Sequence, residues 1–328
     1  MRRGSPYKLT AMANNNREQV MAFKKWLLIG LVLITPALGP AQAQEGDIYR
    51  MPPPSGPYLI GRTAYQWIDE SRPEVHTEDD EDFRELLVEV WYPAEPEEGA
   101  EVGLYLEEAM GNLFEQMFGL SADQMDAIQS NAYPDAPVSD EQPSYPVVIF
   151  DPGFSAAPRQ YSVILEELAS HGYIVFSPSH PYVTTLTVFL DGRVIEPLSQ
   201  NRLQTLWAPI DLYDAEFTEV WVPDVQFVIT QVEALNSDNP LFAGKLDLER
   251  MGLVGHSMGA RTISEVCLLE DRCKAAVNLD GSYSALVELA FDKPYMTILA
   301  DRGVEEFVNT FEHSLEALER DFYVLMIP

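Results

Sequence analysis

Gly255-His256-Ser257-Met258-Gly259 follows directly on the apolar run Met251-Gly252-Leu253-Val254. A buried strand that turns through Gly-x-Ser-x-Gly into a helix is a nucleophile elbow, a turn so sharp that few folds can house it. A Cβ two positions to either side of the serine has nowhere to go, which is the steric task of Gly255 and Gly259. Residues 260–270 read as the following helix, with Ala260, Ile263, Val266 and Cys267 on one face. The five-residue motif alone is short enough to arise by chance. The strand before it and the helix after it favour a catalytic serine over one in an ordinary glycine-rich strand–helix turn.

The rest of the chain is organised to match. With 328 residues, 46% of them apolar, it can bury one large core. Residues 44–56 are proline-rich and are expected to be loose. Strands are predicted over 58–68 and 85–92, separated by a solvated acidic loop at 78–82, and again over 146–150, 173–176, 275–279, 295–299 and 322–327. Helices are predicted over 158–170, with Tyr161, Ile164, Leu165 and Leu168 inward, and over 304–318. Another opens at Pro223, with Val225, Val228, Ile229, Val232 and Leu235 inward. This alternation implies an α/β fold, a mostly parallel central sheet covered by helices on both faces, within one domain spanning 44–328. Two excursions interrupt it. The first, 94–144, carries Leu104, Met110, Leu113, Phe114, Met117 and Phe118 around a helix; the second, 181–221, carries Trp207 and Trp221. The first reads either as core packing or as an apolar wall over the active site, and the second as a further candidate for substrate-facing surface.

Near the start, Lys24-Lys25 precedes the apolar run from Trp26 to Ile34, then Pro36 and Ala41-Gln42-Ala43. This is the pattern of a secretory signal peptide at 21–43, cleaved near Ala43, with 1–20 an over-long start before Met21. The expected location is therefore the periplasm or the extracellular medium. The run is too short to span a bilayer, and no stable membrane anchor is expected. The formal charge of -31 falls to about -36 once the six basic residues and one acidic residue of 1–43 are removed. Such a surface repels nucleic acid, and it suits either a high-salt habitat or an ordinary acidic secreted protein. Cys267 and Cys273 are the only cysteines. In an exported chain they are expected to form a disulfide rather than remain buried thiols. No histidine, cysteine or carboxylate spacing suggests a metal, and no cofactor is expected.

A serine hydroxyl needs a base to take its proton, an acid to orient that base, and two N–H groups aimed at the developing oxyanion. After an elbow of this kind one donor is the residue following the serine, here Met258. The other comes from the loop after the strand at 146–150, Asp151-Pro152-Gly153-Phe154-Ser155, where Gly153 allows close approach and the Phe154 N–H is the candidate. Two aspartates end strands beyond the serine, Asp280 and Asp301. Either is placed to act as the triad acid, or to serve as a cap or turn residue.

Asp151-Pro152-Gly153-Phe154, Leu168-Ala169-Ser170-His171-Gly172, Gly255-His256-Ser257-Met258-Gly259 and Asn278-Leu279-Asp280-Gly281 together resemble the platelet-activating factor acetylhydrolase family (plasma and intracellular type II) of α/β-hydrolases. The likeness runs from about residue 56 onward and is most specific between 146 and 281. It implies an α/β-hydrolase fold, Asp280 as the acid, and a serine carboxylic-ester hydrolase acting on small esters or short-acyl lipids through an acyl-enzyme. The family's loop reads His-Gly-x-Gly, where this chain has Pro152 and Ser155. Related cutinase-type polyester hydrolases place the acid one strand later, which would favour Asp301. The family's histidine follows the last strand, and this chain reads Met326-Ile327-Pro328 there. A C-terminally truncated domain, inactive as given, is therefore expected. Among the five histidines, His76 lies in the acidic loop, His171 ends a helix and His180 shapes the loop it occupies. His256 sits inside the elbow, turned away from the oxyanion. His313, on the polar face of its helix, is a weak candidate for the base. A non-catalytic binding protein of the same fold is the alternative, and the oligomeric state is open.

Overall fold

Residues alternate across the central strands, yet nearly all are apolar, which requires a sheet covered on both faces. The computed structural model describes residues 49–79, 81–118, 128–198, 217–281, 292–300 and 322–327. The start at 1–20, the signal peptide at 21–43, Trp207, Asp301, and the 304–318 helix with His313 lie outside them. In chain order come β1 (Tyr49–Arg50), β2 (Leu59–Pro73), β3 (Phe83–Ala94), α1 (Glu108–Phe118), β4 (Ile128–Gln129), β5 (Ala132–Pro134) and β6 (Tyr145–Asp151). A 3-10 turn at Pro158–Tyr161 leads into α2 (Ser162–Ser170), then β7 (Ile174–Pro178), β8 (Thr187–Val188) and β9 (Val194–Ile195). A π-helical turn at Phe217–Trp221 leads into α3 (Val222–Asp238), followed by β10 (Leu246–His256), α4 (Met258–Leu269), β11 (Ala275–Leu279), β12 (Tyr295–Ala300) and β13 (Phe322–Ile327).

One nine-stranded sheet runs in the order β13-β12-β11-β10-β6-β7-β3-β2-β5. From β13 to β7 neighbours are parallel; β3 is antiparallel to both β7 and β2. The α/β-hydrolase fold expected from the elbow is the fold observed. Val147 and Ile149 of β6, and Ile174 and Phe176 of β7, face the core under α3 and α4. Val148 and Phe150, with Val175, face the opposite core under α2. The period-two alternation thus feeds two apolar layers. In α3, Val225, Val228, Ile229, Val232 and Leu235 are buried, and in α4 so are Ala260, Ile263, Val266 and Cys267, the faces expected from their spacing. The disulfide is present, joining Cys267 at the end of α4 to Cys273 before β11, with Cα atoms 5.2 Å apart.

Three expectations need correction. In α2, Leu165 is buried and Tyr161 and Leu168 pack against the same core as expected, but Ile164 is 40% exposed, and Ser162, Glu166, Ala169 and Ser170 are buried in addition. The turn before α2, Pro158–Tyr161, winds as a 3-10 helix. Trp221 is core, not substrate-facing surface: it is 1% exposed and lies flat on the His180 ring. The excursion at 94–144 is in part sheet, since β5 extends the edge beside β2. Its Leu106 and Met110 join Ala157 and Leu186 in a separate apolar cluster, which brings the two excursions together beside the loop after β6. Leu104 remains exposed. Among the described residues, no helix is long and apolar enough to cross a membrane.

Candidate active site

The parallel strands β6, β10 and β11 end at one edge, and register places their last residues side by side. Gly255 pairs with Asp151 on β6, and with Asn278 on β11. Ser257 is next, with φ 54° and ψ -115°, a region that non-glycine residues rarely occupy. Its N–H donates to the Leu279 carbonyl at 2.9 Å, anchoring the strained turn to β11.

The glycines do what the motif requires. A Cβ on Gly255 would lie 2.4 Å from the Gly259 oxygen, and one on Gly259 would lie 2.2 Å from the Asp151 oxygen. Backbone therefore presses on backbone, and the first turn of α4 is seated directly against the end of β6. Met258, the next residue, is buried as the helix begins, with its N–H in the first turn, where helix donors lack intrahelical partners. The loop after β6 comes equally close: a Cβ on Gly153 would lie 3.4 Å from the Ser257 Cβ and 2.8 Å from the His256 Nδ1. Phe154 follows, half-buried against the main core. Met258 and Phe154, the two oxyanion candidates, thus flank Ser257 from α4 and from the loop.

Asp280 sits one residue past β11, also at positive φ, 56°. Its N–H donates to the Ile298 carbonyl at 2.8 Å, and its Oδ1 accepts from the Ala300 N–H at 3.1 Å. Asn278 holds the far side of this turn by accepting the Gly281 N–H at 2.7 Å. A Cβ on Gly281 would meet the Ser257 carbonyl at 2.4 Å, so the Asp280 turn packs on the elbow itself. Ser257, the 152–154 loop and Asp280 are therefore brought together at one sheet edge.

The described histidines take other places. His171 is exposed beside Glu167 and Ser55. The backbone N–H of His76 donates to Glu74, and its ring lies beside Tyr182. His256 shares a 2.8 Å hydrogen bond with the Tyr161 hydroxyl, and its ring lies against Gly153 rather than turning away from that loop. His180 is buried between two carboxylates: Nε2 is 2.8 Å from Asp151 Oδ1, and Nδ1 is 2.8 Å from Asp224 Oδ2. Those two anions raise its pKa to about 9 against the desolvation that alone would lower it. Burial pushes the Asp151 carboxyl up, and His180 only partly offsets this. Asp224, equally buried, is held far below the carboxylate range by Arg84 and His180.

Sequence reasoning missed two parts of this site. Tyr161 reads as one apolar position among four, yet its hydroxyl accepts the Gly153 N–H at 3.0 Å and ties that loop to His256. Burial raises its pKa. The chain from Asp151 through His180 and Asp224 to Arg84 joins residues scattered over 140 positions, and no local spacing announces it. Among the described residues, no group of three or more histidine, cysteine, aspartate or glutamate side chains could hold a metal ion.

Residues 45–207 match the family model described as platelet-activating factor acetylhydrolase, isoform II. The chain is 24% identical over 258 residues to a probable 1-alkyl-2-acetylglycerophosphocholine esterase of Arthroderma benhamiae, covering 71% of this chain and 59% of that protein. It is also 24% identical over 250 residues to the platelet-activating factor acetylhydrolase of Cavia porcellus, covering 70% and 55%. The chain thus spans less than two thirds of the length of either relative. The solved structure of a ferulic acid esterase from Streptomyces cinnamoneus superposes with a TM-score of 0.66 at 23% identity, covering 86% of this chain and 77% of that one. That likeness shows the fold.

Proposed function

We propose that this chain, which belongs to the platelet-activating factor acetylhydrolase, isoform II, family, is a serine carboxylic-ester hydrolase that forms an acyl-enzyme on Ser257. The observation that carries this is the strained Ser257 itself, at φ 54° and pressed between the Gly153 loop and the Asp280 turn. A serine kept only for packing has no reason to occupy that conformation. Ser257 Oγ attacks the acyl carbonyl as an imidazole takes its proton. The oxyanion forms against the Met258 and Phe154 N–H groups, and the protonated imidazole then releases the alcohol. Water repeats the sequence on the acyl-enzyme. Asp280 is assigned as the acid that orients the imidazole, over Asp301, because its turn packs directly on the elbow. The base is assigned to none of the four described histidines.

Small esters and short-acyl lipids fit this reading, since the apolar cluster of Leu106, Met110 and Leu186 stands beside the loop that carries Phe154. The same reading includes export, with cleavage near Ala43, a context in which the Cys267–Cys273 disulfide is stable. Ser257→Ala in the full-length protein is expected to lower p-nitrophenyl acetate turnover by about 10³-fold or more. Full retained activity would overturn the assignment and favour a binding protein of the same fold.

A further inference from the structure

Behind the oxyanion loop lies a buried ionic chain that the acyl-transfer steps never touch. It starts at Asp151, the last residue of β6 and the residue before Pro152-Gly153-Phe154. Asp151 is fully buried, and besides His180 its carboxylate has the Thr262 side chain beside it. Its Oδ1 is held by His180 Nε2 at 2.8 Å. The other ring nitrogen of His180 meets Asp224 Oδ2 at 2.8 Å, and Asp224 receives a forked contact from Arg84, with Nη2 at 2.7 Å and Nε at 3.1 Å. Arg84 Nη1 reaches Glu74 at 2.9 Å, and Arg72 pairs with the other Asp224 oxygen at 2.9 Å.

The His180 ring is fixed in every direction. Trp221 stacks on it at 3.9 Å and 15°. Its backbone N–H donates to the Thr184 hydroxyl at 2.9 Å, and that hydroxyl donates back to the His180 carbonyl at 2.8 Å. With Asp151 and Asp224 both ionised each only accepts hydrogen bonds, so the ring between them donates from both nitrogens and is an imidazolium. The groups facing it are Asp151 from β6 and Asp224 from α3. Arg84 from β3, with Arg72 and Glu74 from β2 and the residue after it, stands behind Asp224.

Asp151 is also where the loop is indexed to the nucleophile. Its carbonyl oxygen stands where a Cβ on Gly259 would be, and the Pro152 oxygen is as close. A shift of Asp151 therefore carries Gly153 and Phe154 relative to Ser257. We infer that His180 is a positioning residue: as a buried imidazolium it holds the Asp151 end of β6, and through it the oxyanion loop, at the distance from Ser257 that turnover requires. The inference rests on the reading of Ser257 as nucleophile and of 152–154 as the oxyanion loop. Loss of the His180 proton leaves two buried carboxylates facing one donor, and the loop loses its index.

The sign follows from the charges. The folded-state pKa of His180, raised to about 9, lies above the ordinary value. The contribution of the charged ring is therefore complete below about pH 6.5 and is lost as pH rises through about 9. A triad imidazole acts in the opposite limb, losing activity as it is protonated on the acid side.

The test measures kcat and KM for p-nitrophenyl acetate in the full-length protein between about pH 6 and pH 10. Wild type, His180→Gln and Asp151→Asn are compared, with Ser257→Ala as background and near-ultraviolet circular dichroism confirming the fold at each pH. Wild-type kcat is expected to fall above about pH 9. In Asp151→Asn one of the two anions holding the proton is gone, so the alkaline fall moves down by at least about one pH unit, with KM within about threefold. His180→Gln lowers kcat on the order of 10²-fold and removes the alkaline fall. A folded His180→Gln protein with wild-type kcat overturns the inference. So does an Asp151→Asn profile that superimposes on the wild type, which decides the matter if His180→Gln fails to fold. Wild-type turnover no greater than that of Ser257→Ala instead overturns the esterase reading, and the inference with it.

Discussion

Ser257 and His180 stand on either side of the same strand end, that of β6, and they are held by opposite means. The Ser257 side is backbone against backbone: Gly255 on Gly259, Gly259 on Asp151, Gly281 on the Ser257 carbonyl. The His180 side is side chain against side chain, through Asp151, Asp224, Arg84 and Glu74. Glycines permit close approach without carrying charge, so the elbow is insensitive to pH and intolerant of added volume. The ionic chain tolerates some change in volume, but removing one partner leaves another buried and uncompensated. One end of β6 is thus set by sterics on the catalytic side and by electrostatics on the supporting side.

The largest expected effect on stability comes from breaking the ionic side at its centre. Arg84→Met leaves Asp224 and Glu74 buried without their main cation, and should destabilise the fold by about 3–5 kcal/mol. Urea unfolding at pH 7 measures this. A loss below about 1 kcal/mol would mean that the chain positions residues without holding the fold. Next is a change on the steric side. Gly153→Ala would place a Cβ 2.8 Å from His256 Nδ1 and 3.1 Å from the Tyr161 hydroxyl, both movable side-chain atoms. Turnover of p-nitrophenyl acetate should fall on the order of 10²-fold, while the unfolding free energy moves by no more than about 1 kcal/mol. Equal retention of rate would show that the loop is not indexed to Ser257 at Gly153. The smallest effect concerns neither side. Reducing the Cys267–Cys273 bond opens a loop of sequence separation 6, which by chain entropy is worth about 2 kcal/mol. The melting temperature should drop under dithiothreitol, while kcat at 25 °C stays within about twofold, because the bridge lies at the far end of α4 from Ser257.

Much of the fold was legible because it repeats a local rule. The strands β6 and β7 and the Met251–Val254 stretch of β10 are short apolar runs, and the inward faces of α3 and α4 follow helical spacing. On α2, Leu165, Tyr161 and Leu168 face the core as their spacing implies, and of the four Ile164 alone turns to solvent. Trp221 was misread because an indole suits a binding surface or a core equally well in sequence, and only the stacked His180 ring distinguishes the two.

The sequence by itself determined the elbow. The five-residue motif between a strand and a helix specifies its own turn through the Gly255–Gly259 clash, four residues apart, whereas the clash that requires Gly259 is with Asp151 and Pro152 and is supplied by the fold. The Cys267–Cys273 pairing, six residues apart, was local in the same sense. Only the tertiary structure decided that Asp151, His180, Asp224 and Arg84 form one buried chain, and that the Tyr161 hydroxyl meets both Gly153 and His256. Each of those contacts joins side chains from different elements, and strong, desolvated electrostatics depends on distance in space, to which separation along the chain gives no guide.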